Sequence, residues 1–144
     1  MSLEKKIKKL ESVRKKLNSN KVSIGSWMQL PSSDIAEIMG ACGYDWITID
    51  MEHGSISNSQ LPNIFRALEL GNTLPFVRVS KSDIDECNRA LEAGAAGIFL
   101  PMIQTSNQLS KIIKGITWPP KGKRGVGFSR ANLFGANFNK YKKT

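Results

Sequence analysis

Acidic residues are scarce outside the middle of this sequence, and none follows Glu92. Residues 1–21 carry eight Lys or Arg against two Glu, and residues 22–110 carry four basic and ten acidic side chains. Residues 111–144 carry nine basic side chains and no acidic one. A complete domain seldom lacks Asp and Glu throughout its last third. The asymmetry therefore indicates either a polyanion-binding surface or the front part of a larger protein.

Other absences exclude whole classes of protein. No apolar run approaches the ~20 residues of a membrane span, so we expect no membrane partner. The basic N-terminus lacks the apolar core of a signal peptide, so secretion is not expected. The two cysteines, Cys42 and Cys87, form no CxxC pair and fall in helical patterns. They are predicted to be buried thiols in a reducing compartment, and the protein is predicted to be cytoplasmic.

The first segment, residues 1–20, is predicted to be a basic amphipathic helix. Apolar residues recur at helical spacing among its lysines, namely Leu3, Ile7, Leu10 and Leu17. Such a helix could contact a membrane or a nucleic acid. We favour the alternative that it packs its apolar stripe against the domain.

Residues 21–117 repeat one pattern four times: a short apolar strand followed by a capped helix. The predicted strands begin at residues 22, 46, 75 and 97, and Ser or Thr residues or Asp83 precede the helices. Alternating βα units predict a parallel sheet, and four units are half of a (β/α)8 barrel of ~250 residues. An open doubly wound sheet is the alternative, but it would normally carry a Gly-rich loop after its first strand. Residues 118–144 are predicted to be a basic, Gly- and Pro-rich loop segment.

Polar side chains follow the predicted strands where their carboxyl ends meet. In parallel α/β proteins, catalytic groups gather at this edge of the sheet. The candidates there are Trp27 and Gln29 after the first strand, Asp50, Glu52 and His53 after the second, Arg78 at the third, and Gln104 after the fourth.

These residue types predict a particular chemistry. A carboxylate beside the imidazole of His53 would make it a general base near neutral pH, and Arg78 offers a planar fork to a carboxylate or enolate oxygen. Together they suit proton abstraction, or carbon–carbon bond chemistry, beside a carbonyl. Each residue also has a structural alternative: Asp50 could cap a turn, and Arg78 could pair with Asp50 or Glu52. Lys81 could form a Schiff base, but it should be solvated and ranks behind an enolate mechanism.

Four stretches of the sequence resemble one known family over most of the chain, from Ile24 to about Ala131. They are "IGSWMQLPSSDIAEIMGACGYDWITIDMEHG", "PFVRVS", "LEAGAAGIFLPMIQT" and "WPPKGKRGVGFSRA". The chain resembles the HpcH/HpaI aldolase/citrate lyase family, and within it the class II pyruvate aldolases that act on 2-keto-3-deoxy acids. The resemblance implies a (β/α)8 barrel, of which this chain would carry an N-terminal helix and the first four βα units.

The resemblance also assigns roles to residues of this chain. His53 matches the base with Asp50 as its partner, Arg78 matches the residue that contacts pyruvate, and Glu52 lies near the metal site. Glu92 matches an acidic residue, commonly Asp, that reaches a neighbouring subunit's active site. Trp27, Gln29 and Gln104 would line the substrate pocket. The implied partners are a 2-keto acid, an aldehyde and further copies of the chain in a homo-oligomer.

The family's metal-binding residues have no counterpart here. The resemblance implies a divalent metal (Mg, Mn or Co) held by a Glu and an Asp that would lie beyond Thr144, so no metal ligand is predicted within this chain. We therefore expect negligible aldolase turnover from the 144 residues alone.

Two other functions remain open. The chain could be a non-catalytic half-barrel that assembles with itself or with another chain. It could instead bind a polyanion through its basic ends. The N-terminal helix has no aromatic residue and the sequence has no nucleic-acid motif, so no nucleic-acid partner is expected.

Overall fold

The structure, a computed structural model, describes residues 1–143 as a parallel α/β arrangement. The elements in chain order are α1 (Leu3–Asn18), β1 (Gly25–Met28), α2 (Ser33–Ala41), β2 (Trp46–Asp50), α3 (Leu61–Leu70), β3 (Leu74–Arg78), α4 (Ile84–Ala93), β4 (Gly97–Phe99), α5 (Ser106–Ile116) and α6 (Phe138–Tyr141). A single 3-10 turn, Arg130–Asn132, precedes α6.

The four strands form one sheet in the order β1-β2-β3-β4, and every neighbouring pair is parallel. Each connection is a helix to the next strand, and such crossovers are almost always right-handed, so successive helices fall on one face. A doubly wound sheet reverses its strand order at a switch point, whereas this sheet runs in sequence order throughout. The arrangement is therefore four consecutive βα units, as the sequence predicts.

The core lies between one face of this sheet and helices α2 to α5. Ile47 and Ile49 of β2 and Val77 of β3 point to this side and are fully buried. Phe65 and Leu68 of α3 are equally buried against the sheet. The opposite face carries aromatic and charged side chains, because successive strand residues alternate between faces.

Three of the helices begin at side-chain caps that the sequence predicts. Ser32, Asp83 and Thr105 each accept a hydrogen bond from a backbone N–H in the first turn of α2, α4 and α5. A cap of this kind contributes about 1 kcal/mol. Strand β2 has the predicted bounds. Strand β3, predicted over residues 75–79, lies one residue earlier at both ends, and β4, predicted over residues 97–100, ends one residue earlier.

Two elements begin later than the sequence predicts. Strand β1 starts at Gly25 rather than residue 22, because Val22 and Ile24 are exposed and the backbone N–H of Ile24 donates to the Asp45 carboxylate. Helix α3 starts at Leu61 rather than near Asn58 or Ser59, because a turn precedes it in which Ser57 donates to the Gln60 side chain.

Helix α1 is held to the domain mainly by charged contacts. Lys6 forms an ion pair with Glu69 of α3 at 2.8 Å and donates to the carbonyl of Gly94. Lys16 pairs with Asp45 at 2.7 Å. The apolar stripe is only partly buried: Val13 is the buried residue of the helix, whereas Leu17 is exposed. Within residues 1–143, no helix is long and apolar enough to span a membrane.

The segment after α5 is mostly loop, as predicted, and it folds back on the earlier units. Arg130 donates to the carbonyl of Ala93 and forms a 2.8 Å ion pair with Glu69. Glu69 thus joins α1, α3 and the C-terminal segment. The division into residues 1–20, 21–117 and 118–144 stays a prediction of the sequence pattern.

The two cysteines differ in burial. Both are free thiols, as the sequence predicts, and Cys87 is fully buried. The predicted burial of Cys42 is wrong, because Cys42 lies at the C-terminal end of α2, where its thiol is exposed and donates to the carbonyl of Ile38.

Candidate active site

Asp50, at the carboxyl end of β2, is the centre of a hydrogen-bonded cluster. Its carboxylate is fully buried and accepts six hydrogen bonds, three at each oxygen. The donors are the backbone N–H groups of Glu52 and His53, the indole of Trp27, the amide of Gln29, and Nε and Nη2 of Arg78, at 2.6 to 3.1 Å. The cluster joins β1, β2 and β3, and the Asp50 carboxylate has no acceptor position left for another hydrogen bond.

Arg78 lies directly across from Asp50, because the two residues are register partners on adjacent strands. Its guanidinium grips both Asp50 oxygens in a fork geometry and places Nη1 3.1 Å from Glu52 Oε2. The guanidinium also lies 5.1 Å from the ring centre of Trp27. These contacts use three of the five N–H donors of Arg78, so two remain for a bound anion.

The Asp50 carboxyl is strongly held in its charged form. Burial raises its pKa, but the hydrogen bonds from Arg78, Gln29, Trp27 and the His53 backbone outweigh burial. The pKa of Asp50 therefore lies far below its usual range. Asp50 stays ionised at all mild pH values and cannot exchange a proton during a reaction near neutrality.

The imidazole of His53 faces Glu52 rather than Asp50. His53 Nε2 lies 3.9 Å from Glu52 Oε2, while Asp50 contacts His53 only through its backbone N–H. The structure thus corrects the predicted pairing of the Asp50 carboxylate with the imidazole ring. His53 and Arg78 approach the same Glu52 oxygen, so they lie on the same side of the sheet edge.

The turn after β2 explains this arrangement. Because Asp50 accepts the N–H groups two and three residues later, the chain turns sharply at the strand end. A Cβ on Gly54 would lie 2.3 Å from the Asp50 carbonyl oxygen, so only glycine fits there. The tight turn buries Asp50 and leaves the His53 side chain 65% exposed at the rim.

Below the charged cluster, the same sheet face carries four aromatic rings. Trp46 stacks on Phe76 with ring centres 5.5 Å apart, and Phe99 lies 5.4 Å from Trp27. Trp27 and Phe99 are 39% and 38% exposed, so no helix of residues 1–143 covers this face. We call these four residues the aromatic face.

The donor set of this site does not hold a metal ion on its own. Every acceptor position of Asp50 is occupied by a hydrogen bond, and Glu52 already contacts Arg78. Among residues 1–143 there is no group of three or more His, Cys, Asp or Glu side chains that could ligate a metal. A hard dication needs about six oxygen ligands, so the residues present do not fit one.

The remaining predicted residues lie outside this cluster. Gln104 is exposed in the loop after β4, where its backbone N–H donates to Gln108. Glu92 is exposed at the C-terminal end of α4, away from the carboxyl ends of the strands. Lys81 is 70% exposed and pairs with Asp83 at 3.1 Å. This contact raises its pKa, which keeps the amine protonated and makes it a poor Schiff-base nucleophile.

The sequence reasoning missed the aromatic face as a unit. Trp46, Thr48 and Asp50 alternate along β2, and Phe76 and Arg78 alternate along β3. A period-two pattern places such residues on one side of a sheet. The pattern could have identified the rings that lie beneath the charged cluster.

Comparison with known proteins identifies the family to which this chain belongs. The model of the HpcH/HpaI aldolase/citrate lyase family matches residues 23–141. The chain therefore belongs to the HpcH/HpaI aldolase/citrate lyase family. A hydroxypyruvate/pyruvate aldolase from Sagittula stellata is 36% identical over 124 residues, which cover 85% of this chain and 49% of that protein. A 4-hydroxy-2-oxovalerate aldolase from Novosphingobium aromaticivorans is 35% identical over 88% of this chain and 48% of its own length.

A solved structure supports the same conclusion about the fold. The crystal structure of a HpcH/HpaI aldolase/citrate lyase family protein from Burkholderia cenocepacia superposes with a TM-score of 0.83 at 31% identity. The match covers 92% of this chain and 55% of that one. The prediction of a TIM-barrel family fold, present here as an N-terminal helix and four βα units, is confirmed. The chain spans about half the length of the curated relatives it matches.

Proposed function

We propose that this chain supplies the base and the anion-binding side of a pyruvate aldolase that cleaves or forms 2-keto-3-deoxy acids. The observation that carries the proposal is the shared Glu52 oxygen, which brings His53 and Arg78 together at the carboxyl edge of the sheet. The aldolase names of several relatives in the family support the same reaction class.

In this proposal, each residue of the cluster has a distinct task. His53 takes or returns a proton at its ring nitrogen Nε2, which lies 3.9 Å from the Glu52 carboxylate. Arg78 uses its two free N–H donors to hold the keto-acid carboxylate or the enolate oxygen. Asp50 positions Arg78 and the turn that carries His53. Trp27 and Gln29 hold Asp50, and with Gln104 they are proposed to line the substrate pocket.

The finer assignments extend the family resemblance and rest on the whole protein. A divalent metal would be held chiefly by groups other than those of residues 1–143, because these do not form a ligand set. Glu92 is proposed to act in a neighbouring subunit of a homo-oligomer, which its exposed position allows. The 144 residues alone are expected to show negligible turnover. A cytoplasmic location also stays a prediction.

A chimaera tests the proposal directly. Residues 1–143 are fused to the C-terminal half of the Sagittula stellata aldolase, and cleavage of a 2-keto-3-deoxy acid is assayed with Mg²⁺ or Mn²⁺. We expect turnover from the chimaera and none from the 144-residue chain. His53→Gln should lower kcat about 100-fold or more, since general-base catalysis typically supplies that factor.

The matched control for this experiment is Glu37→Gln. Glu37 is exposed on α2 and its replacement should leave kcat unchanged. A folded chimaera with no activity, or one in which His53→Gln has no more effect than Glu37→Gln, would contradict the proposal.

A second candidate function is a non-catalytic half-barrel that assembles with itself or with another chain. The exposure of Trp27 and Phe99 on the aromatic face favours it, because a large apolar area open to water promotes association. Strands β1 and β4 also have one unpaired edge each in the sheet of residues 1–143. Sedimentation velocity tests this function, and a compact monomer at micromolar concentration would exclude it.

A further inference from the structure

A cavity of about 550 Å³ lies on the side of the molecule away from the candidate active site. It is bounded by α1, by the ends of α4 and α5, and by the C-terminal segment, and it is open to solvent on one side. Leu91, Ala95 and Ala96 of its lining connect α4 to the amino end of β4, whereas Asp50 and Arg78 lie at the carboxyl ends of their strands. The cavity is therefore distinct from the strand-end cluster.

Its walls combine apolar surface with positive charge. The apolar lining comes from Leu91 of α4, from Leu3, Ile7 and Leu10 of α1, and from Trp118, Pro119 and Pro120 of the loop after α5. The cations are Lys6, Arg14, Lys121, Arg124, Lys142 and Lys143. No Asp or Glu of the described chain lines the cavity. Such a lining matches an anion that has an apolar body.

Arg124 is a buried cation in the wall of this cavity. It is only 7% exposed, yet it makes no ion pair with any carboxylate of residues 1–143. Its guanidinium lies 4.5 Å from the ring centre of Trp118 and 5.6 Å from that of Tyr141, and both Nη atoms are 3.3 Å from the Tyr141 hydroxyl. Its Nε–H is buried without an acceptor.

This arrangement is costly unless an anion completes it. A buried charge without a counter-charge destabilises the folded state, and a buried donor without an acceptor adds to that cost. The cation–π contacts with Trp118 and Tyr141 offset part of this cost but supply no negative charge. Lys6, the other well-buried cation of the lining, differs because Glu69 already balances its charge. Arg124 has the aromatic support of a ligand-binding arginine, but no carboxylate among residues 1–143 forms an ion pair with it.

We propose that this cavity binds a small organic anion, a carboxylate or phosphate monoester with an aromatic or short aliphatic body, and that Arg124 is its charge partner. The cavity volume suits such a molecule, since ligand pockets commonly measure about 300–1,000 Å³. The exposed cations Arg14, Lys121 and Lys142 raise the positive potential around the opening and attract anions. In this proposal, the lysines and Arg124 of the C-terminal segment, which contains no Asp or Glu, form part of an anion-binding site.

The test uses 1-naphthyl phosphate as the probe and isothermal titration calorimetry on the 144-residue chain. We expect saturable binding that weakens as salt rises, and at least tenfold weaker binding of uncharged 1-naphthol. Arg124→Gln should weaken 1-naphthyl phosphate binding at least tenfold. The charge-matched control Lys111→Gln, an exposed residue of α5 that does not line the cavity, should change it less than twofold.

Two further measurements keep the proposal testable if Arg124→Gln does not fold. Arg14→Gln combined with Lys121→Gln removes two charges from the opening and should weaken binding several-fold. In ¹⁵N-resolved NMR spectra, the Arg124 Nε–H resonance should shift on addition of the probe. The proposal would be overturned if 1-naphthyl phosphate and 1-naphthol bound with equal affinity, or if Arg124→Gln and Lys111→Gln had equal effects. The absence of saturable binding at millimolar 1-naphthyl phosphate would also overturn it.

Discussion

At the scale of single residues, the structure assigns Asp50 a task that the residue type alone does not reveal. Two structural roles that the sequence leaves open, a turn cap for Asp50 and an ion pair for Arg78, are both present. They build the site rather than compete with it, because they fix Arg78 and the His53 turn. The residue types at the strand ends were predictable from the chain. The choice of Glu52 as the ring's neighbour was not, since it depends on the sharp turn that Asp50 and Gly54 produce.

We predict that Asp50→Asn destabilises the folded chain by about 3 kcal/mol at pH 7, since removal of one partner leaves the Arg78 charge poorly compensated. The pKa of Asp50 is lowered on folding, so its contribution is complete above the unfolded value of about 3.9. The contribution is lost as the pH falls below that value towards the native pKa. The stability gap between wild type and variant should be constant from pH 8 to 5 and shrink below pH 4.

Urea denaturation followed by circular dichroism across this pH range measures the gap. Glu37→Gln, which removes an exposed carboxylate, should change the free energy of unfolding by less than about 0.5 kcal/mol. A gap as large at pH 2.5 as at pH 7 would show that the Asp50 charge is not its source.

The two thiols are predicted to react at very different rates. Cys42 is exposed, whereas burial raises the pKa of the Cys87 thiol to about 11, and Cys87 is fully buried. The thiolate is the reactive form, so iodoacetamide at pH 8 should modify one thiol quickly and the other only on unfolding. Mass spectrometry of timed samples distinguishes them. Cys42→Ser should remove the fast phase, and Cys87→Ser should retain it.

At the scale of helices and strands, the features set by neighbouring residues could be predicted from the sequence, and those set by distant contacts could not. A short polar side chain just before a helical apolar pattern marks a helix N-cap, and this signal is visible in the sequence alone. The caps found in this way are Ser32, Asp83 and Thr105. The start of β1 was misjudged because Val22 and Ile24 have the character of strand residues. Their exposure depends on Asp45, which lies more than twenty residues away and captures the Ile24 backbone.

The attachment of α1 is likewise a long-range effect that periodicity does not reveal. We predict that Glu69→Gln destabilises the fold by about 3 kcal/mol, because Lys6 and Arg130 both lose their carboxylate. All three side chains are less than one-fifth exposed, so water screens the charges only partly. Burial also lowers the pKa of Lys6, and Glu69 opposes that effect.

Thermal and urea unfolding measure this prediction, with Glu11→Gln on the exposed side of α1 as the matched control. Limited proteolysis adds a local readout, since a loosened α1 should be cut at its lysines before the βα units. Equal stability of Glu69→Gln and Glu11→Gln would show that apolar contacts, rather than the shared carboxylate, hold α1.

At the scale of the whole molecule, the aromatic face is the feature that sets behaviour in solution. Its rings share one side of the sheet with no covering helix among residues 1–143, so the chain is predicted to self-associate. Phe99→Ser should shift the sedimentation distribution towards monomer. Phe134 is 70% exposed in the C-terminal segment, and Phe134→Ser should have a smaller effect.

If Phe134→Ser shifted the distribution towards monomer more than Phe99→Ser, the contact between chains would lie on the C-terminal segment instead. Concentration series for both variants separate the two outcomes, because a weakened interface needs more protein to reach the same average mass. A wild-type chain that stays monomeric at all concentrations would contradict the prediction.

The way α1 is anchored also has a consequence for synthesis on the ribosome. Lys6 is translated before its partners Glu69 and Gly94, which follow more than sixty residues later. The contacts that dock α1 through Lys6 therefore cannot form until α3 and the end of α4 have left the exit tunnel.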